Sequence, residues 1–333
     1  MIRKDYLLDK WVIIAPGRAK RPRELVIKRT RRRKGEVCPF CPGNESMTPP
    51  ATLMYVKTDK GLEKVKDSDG KRRRDWLVRC FPNLYPAVSP LPPHIKEQPF
   101  QSMPSFGLHH VLIESPFHRE HPGIARLKQL RIVVEALIDE YKMLSRHDFV
   151  RFVSIFRNHG RVGGASLSHA HMQIIALPFI PPIIQAELDA AETYYNEKER
   201  CAFCDIVEKE RKGPRLISQE EDFVAIAPWA SAYPYEFWIL PKRHSPTFAE
   251  MTDREKLSFT RIMRKCFGKF YTSLGDPPYN FGFHIAPVKL KGEHYHWHLE
   301  VYPYLSILAG FEKSTGAFIN IVEPEEAAKI LRC

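Results

Sequence analysis

The chain has no apolar run close to the roughly 18 residues needed to read as a membrane-spanning helix. Its first residues, MIRKDYLLDKWVIIAPGR, lack both the apolar stretch and the small-residue cleavage site of a secretory leader. The expectation is therefore a cytoplasmic protein with no membrane partner. No helix-turn-helix or RNP-type pattern is present to direct the chain to nucleic acid. An even, densely spaced cysteine framework is also missing. The seven cysteines are an odd number spread over 333 residues, which argues against a secreted disulfide scaffold.

What is present fits a globular enzyme. Apolar residues make up 44% and charged residues 27%, enough for a packed core. The net charge of +12 suits a partner that carries phosphates. Much of that charge lies in residues 18–34 and in Lys71–Arg74, runs more often solvated than bound to nucleic acid.

A repeat organises the chain. Cys38-Pro39-Phe40-Cys41, His118 and the pair His169 and His171 recur as Cys201-Ala202-Phe203-Cys204, His244 and the pair His296 and His298. His118 and His169 are 51 positions apart, and His244 and His296 are 52 apart. The strand-like run 107–115 precedes His118, and 236–243 precedes His244. Helical spacing over 124–146 is matched by 252–274, which opens on a Thr252–Glu255 capping box. Strands follow at Val150–Phe156 and Tyr279–Ile285. The fold class expected is α+β: two repeats forming a large antiparallel half-barrel sheet with packed helices. Their boundaries are set at 1–178 and 179–333. Residues 57–75 read as a polar hairpin tip, and 178–200 as a proline-led connector that turns helical.

In a reducing compartment, cysteines three apart with matching histidines downstream point to tetrahedral zinc. The first proposed set is Cys38, Cys41, His118 and His169, and the second is Cys201, Cys204, His244 and His296. Four protein ligands leave no open position, so both Zn²⁺ sites are structural. Cys80, Cys266 and Cys333 have no such partners and read as packing or surface residues.

The segment from Asn158 to Gln173 carries the chemistry. Alternation along a strand puts His169, His171 and Gln173 on one face. The glycines before them let backbone amides approach a phosphate. A neutral imidazole at His171 can attack phosphorus and form a covalent intermediate.

The Cys38-Pro39-Phe40-Cys41 opening, the His169–Gln173 strand and the His296–Glu300 strand resemble the galactose-1-phosphate uridylyltransferases of the histidine-triad superfamily. The resemblance implies that His171 forms a nucleotidyl-histidine and passes UMP from UDP-hexose to a hexose 1-phosphate in ping-pong fashion. Gln173 replaces the third histidine of hydrolytic relatives; an amide can donate to a phosphoryl oxygen but cannot act as a general acid. By the same resemblance, Phe81 and Asn83 hold base and ribose, while Asn158 and Ser166 contact phosphates. Arg18 and Arg21 lie near the nucleotide, with a homodimer implied, and Phe311 and Glu312 belong to the hexose segment. The family's Glu/His₃ metal set would fall on Glu187, His284, His296 and His298, against which the cysteine-based site is preferred. The pattern Gly310-Phe311-Glu312 through Thr315-Gly316 is closer to the ADP-glucose phosphorylases, which release the nucleotide to inorganic phosphate. Two other readings are a histidine-triad hydrolase and a zinc-ordered nucleic-acid binder.

Overall fold

A computed structural model describes residues 1–20, 37–68, 70–91, 100–290 and 294–333. Fourteen strands are described: β1 (Ile2–Lys4), β2 (Trp11–Ile14), β3 (Leu53–Thr58), β4 (Gly61–Val65), β5 (Trp76–Pro82), β6 (Leu108–Ile113), β7 (Phe152–His159), β8 (His171–Leu177), β9 (Leu216–Gln219), β10 (Phe223–Ile226), β11 (Phe237–Pro241), β12 (Tyr279–His284), β13 (His298–Pro303) and β14 (Phe318–Asn320). Six helices accompany them: α1 (Leu127–Leu144), α2 (Pro182–Lys198), α3 (Ala202–Glu210), α4 (Asp253–Leu274), α5 (Gly310–Thr315) and α6 (Pro324–Leu331). None is long and apolar enough to cross a membrane.

Eleven strands form one sheet in the order β4-β3-β5-β6-β8-β7-β12-β13-β11-β10-β9. Every pairing in it is antiparallel. The sheet is open, with β4 and β9 at its edges. Read outward from the centre, β7-β8-β6-β5 on one side mirrors β12-β13-β11-β10 on the other. The repeat seen in the spacing is therefore a two-fold relation in space. Its seam is the β7–β12 ladder, where Arg157 pairs with Phe281 and His159 with Tyr279.

Alternation divides the sheet into two faces. On β7 and β8, Val153, Ile155, Met172 and Ile174 are buried, while Ser154, Phe156, Gln173 and Ile175 are only half-buried. The buried face takes α1 and α4, whose apolar residues recur at helical spacing and join one core with the strands. α4 starts as expected: the Thr252 hydroxyl accepts from the Glu255 N–H and the Glu255 carboxylate accepts from the Thr252 N–H. Such a cap is worth about 1 kcal/mol. Gly275, at φ 71°, ends the helix in the left-handed conformation that a side chain would resist.

The other face is the working face. In the first half it is covered locally by the Cys38–Cys41 knuckle, whose Phe40 joins Met54, Trp76, Phe81, Val111 and Ile113 in a small second core. A three-stranded sheet, β1-β2-β14, stands apart and attaches to the second half. Arg3 donates to the Trp229 carbonyl and Asn320 to those of Ser231 and Tyr233.

Candidate active site

Each knuckle brings two cysteines and two histidines together, with one ligand atom from each residue within 4.8 Å of the others. In the first set Cys38 Sγ is 3.7 Å from His169 Nδ1, and Cys41 Sγ is 3.3 Å and 3.6 Å from His118 and His169 Nδ1. In the second, Cys204 Sγ is 3.6 Å from His244 Nδ1 and 3.4 Å from His296 Nδ1. Tetrahedral zinc, with bonds near 2.3 Å to sulfur and 2.0 Å to nitrogen, separates the two atom types by roughly 3.5 Å. Both sets therefore fit the ion. The far side of each inner ring is also prepared: His169 Nε2 is 2.8 Å from the Ser115 carbonyl and His296 Nε2 is 2.9 Å from that of Pro241. These bonds put the proton on Nε2 and leave Nδ1 as the donor atom. The Cys201 thiol is pulled down chiefly by a hydrogen bond from Cys204, then by His244 and His296.

The Glu/His₃ grouping that the resemblance implies is divided in this chain. His296 goes to the cysteines, while Glu187, His284 and His298 gather with Glu300, a residue the sequence had not singled out. His284 Nδ1 lies 2.9 and 3.0 Å from the two Glu187 oxygens, and Tyr302 links His284 to Glu300. The two carboxylates, outweighing burial, push His284 up to about 9.

His171 opens β8, and His169 lies just before the strand rather than in it. His169 sits on a bend from which its ring reaches the cysteines of the knuckle, and Phe40 meets both its ring and that of His171. His171 Nδ1 is 2.8 Å from the His169 carbonyl. A carbonyl only accepts, so Nδ1 carries the proton and Nε2 the lone pair. Nε2 makes no hydrogen bond among the described residues. Burial pushes the ring below the ordinary imidazole range and keeps it neutral. The ring is less bare than its strand position implied: Phe40 meets it edge-on at 5.2 Å, and His171 is 7% exposed.

Gln173 lies on the same face, with Oε1 3.0 Å from His109 Nε2. Asn158 is close by on β7, and Asn280 of β12, which sequence reasoning missed, links it to the glycine loop. Oriented by its neighbours, the Asn280 amide donates to the Gly163 carbonyl at 2.6 Å and to Asn158 Oδ1 at 3.3 Å. A Cβ on Gly163 would stand 2.5 Å from the His159 carbonyl oxygen, so only glycine fits there. Ser166 is exposed in that loop. A cavity of about 310 Å³ opens between Asn158 and His284, roofed by Ile183 and Ile184 of α2.

Under the working face, Arg157 and Glu114 form a buried ion pair at 2.9 Å, and Arg157 donates to the Tyr279 hydroxyl at 2.6 Å. Neither had been picked out from the sequence, because their pairing crosses strands.

The remaining expected residues are more scattered. Phe81 is 2% exposed, enclosed by Phe40 and by the Arg79 guanidinium 4.7 Å above its ring, so it backs the wall instead of lining it. Asn83 is half-buried, with Nδ2 3.1 Å from His109 Nε2. Arg18 is exposed on the turn after β2, and Arg21 lies outside the described residues. Phe311 is exposed on α5, while Glu312 caps that helix by accepting from the Ala309 N–H at 2.9 Å. Arg18, Phe311 and Glu312 thus travel with the small sheet and α5, and none bonds to the His171 face among the described residues.

Comparison with known proteins decides the family. The model of the galactose-1-phosphate uridyl transferase N-terminal domain matches residues 72–181, and that of its C-terminal domain matches 187–309. The chain belongs to the galactose-1-phosphate uridylyltransferase family. It is 34% identical to ADP-glucose phosphorylase of Arabidopsis thaliana, over 99% of this chain and 92% of that protein. It is 35% identical to galactose-1-phosphate uridylyltransferase of Thermotoga maritima, over 99% and 97%. A crystal structure of the Arabidopsis ADP-glucose phosphorylase with bound ADP-glucose superposes with a TM-score of 0.83 at 31% identity, covering 100% of this chain and 98% of that one. A solved uridylyltransferase superposes at 0.77 with 28% identity, covering 99% and 96%. This family member is a nucleotidyltransferase by descent, with the family's α+β sheet.

Proposed function

We propose that this enzyme carries a nucleotidyl group on His171 Nε2, taken from a nucleoside diphosphate sugar and handed to a phosphate-bearing acceptor. The observation that carries the reading is the bond from His171 Nδ1 to the His169 carbonyl, which leaves a neutral ring with its lone pair on Nε2. In the first half-reaction Nε2 attacks the phosphorus of the nucleotidyl group. The P–O bond to the sugar phosphate breaks, and that product leaves with the electron pair. The acceptor's phosphate oxygen then attacks the same phosphorus and frees the imidazole. Gln173 donates to a phosphoryl oxygen as charge builds there.

The first substrate reading is exchange of UMP between UDP-hexose and hexose 1-phosphate. A second, ADP-glucose with inorganic phosphate as acceptor, is favoured by the Gly310–Gly316 segment and by the Arabidopsis relative. Zn²⁺, if held by the two Cys₂His₂ sets, would supply a rigid clamp and leave the bond-making to His171. Arg18 and Glu312 make no bond to the His171 face among the described residues, and in the homodimer that we propose the partner copy brings Arg18 to the nucleotide and Glu312 to the sugar.

The test incubates the enzyme with UDP-glucose or ADP-glucose labelled in the α-phosphate, without acceptor. Base-stable, acid-labile label on protein, absent in His171→Ala, is the expected result; equal labelling of the variant, or none in either protein, rejects it. Chasing with galactose 1-phosphate or with inorganic phosphate separates the two substrate readings.

A further inference from the structure

Gln173 can serve a phosphoryl group only if its amide points the right way. The side chain ends in one acceptor and one donor, and nothing about its place on β8 selects between them. If the oxygen faced the phosphate, two acceptors would meet and repel.

His109 resolves this. It stands on β6 next to β8, where Val111 pairs with Gln173 and His109 with Ile175, so its ring shares the working face. Its neighbour His110 points to the helix side and bonds Glu140 there. His109 Nδ1 lies 3.0 Å from the Ala87 backbone nitrogen. A backbone N–H only donates, so Nδ1 must hold a lone pair. A neutral ring then carries its one proton on Nε2. That atom is 3.0 Å from Gln173 Oε1 and 3.1 Å from Asn83 Nδ2. Asn83 cannot turn its oxygen there, because Asn83 Oδ1 already accepts from the Tyr85 N–H at 2.9 Å. The proton on His109 Nε2 therefore has one acceptor, Gln173 Oε1. With its oxygen so engaged, Gln173 turns its NH₂ group to the other side.

We propose that His109 is the positioning residue that sets the amide orientation of Gln173, so that Gln173 presents N–H to the transferring phosphoryl group. The second half shows what the arrangement looks like without this chemistry. By register Trp238 pairs with Glu300 as Val111 pairs with Gln173, which makes Glu236 the counterpart of His109. Two carboxylates stand there in place of a donor and an amide. Burial also keeps His109 below the ordinary imidazole range, so the ring stays neutral.

The inference rests on His171 being the nucleophile, and the experiment separates the two. Label transfer from ³²P-labelled UDP-glucose and ADP-glucose is followed in single-turnover mode for wild type, His109→Ala and His109→Gln. In His109→Ala the rate of labelling falls by on the order of 10², while the half-saturating sugar-nucleotide concentration shifts less than about threefold. His109→Gln, which restores an N–H donor, recovers at least about tenfold of the loss. If wild type labels and His109→Ala labels at the wild-type rate, the His109 role is wrong and the His171 reading stands. If wild type does not label, the His171 reading itself fails. Should His109→Ala not fold, ¹⁵N imidazole shifts of the wild-type protein decide: a proton on Nε2 and a bare Nδ1 are expected, and a proton on Nδ1 overturns the proposal.

Discussion

His171 and His298 hold the same place in the two halves of the sheet, and each turns Nδ1 to the carbonyl two residues back, at 2.8 Å and 3.1 Å. They differ at the other nitrogen. His298 Nε2 is 3.2 Å from Glu300, whereas His171 Nε2 makes no hydrogen bond among the described residues and Gln173 stands where the second half has Glu300. In the second half a carboxylate, which can only accept, thus occupies the Nε2 side of the ring and would repel a phosphate, whereas the first half has an amide in that place.

Copying that difference into the first half should silence it. Gln173→Glu replaces a donor with a charged acceptor, and we expect nucleotidyl transfer to fall by on the order of 10² to 10³. Steady-state kcat on a folded, zinc-loaded variant reads the effect. A change under threefold would mean that Gln173 does not touch the reacting phosphate.

The two metal sets should separate by function. Elemental analysis is expected to find two zinc ions per chain, falling to one in either Cys41→Ser or Cys204→Ser. In Cys41→Ser, His169 loses its anchor and its carbonyl no longer holds His171, so labelling should drop sharply. In Cys204→Ser the melting temperature should fall while labelling of the folded fraction persists. Equal labelling loss in both variants would contradict this division.

Glu236 makes stability depend on pH. Burial pushes its carboxyl up to about 7, against a pull from Lys10 and a further push from Glu300. The folded state then holds this proton more tightly than the unfolded chain, whose carboxyl titrates near the ordinary 4.5. Its contribution is full below about 4.5 and is lost as pH rises through 7, with a ceiling of about 3 kcal/mol. Glu236→Gln should therefore gain stability relative to wild type between pH 5 and pH 8, as measured by urea unfolding. Parallel pH profiles for the two proteins would refute the assignment.

Glu114 and Arg157, 2% and 1% exposed, test the layer beneath the working face. Glu114→Ala strands a buried guanidinium and should cost about 3–5 kcal/mol. Adding Arg157→Met to it should recover part of that loss, because no charge is then left in the core. A double variant less stable than Glu114→Ala alone would show that the pair is not the relevant unit.

Local patterns carried much of this organisation. The helix over 124–146 became α1, the Thr252–Glu255 box caps α4, the polar stretch 57–75 holds the β3–β4 turn together with β4 and the approach to β5, and the proline-led connector became α2. Cysteines three apart need only a knuckle to meet, so both metal sets were legible from spacing. Features that cross strands were not. His109 meets Gln173 across 64 positions, Asn280 meets Asn158 across the central seam, and Glu114 meets Arg157 beneath it. None of these pairs has a periodic signature. Phe81, expected from the resemblance to hold the base, lies enclosed under Phe40, a placement decided by packing.

The linear chain by itself determined the duplication and the two Cys₂His₂ sets and singled out His171 as the ring proposed to react, because each depends on residue type at short or repeated spacing. Only the tertiary structure decided which partners each imidazole has. Those bonds fix the proton on Nδ1 of His171 and on Nε2 of His109, and a ring's tautomer follows from whichever donors and acceptors folding brings within 3 Å of it.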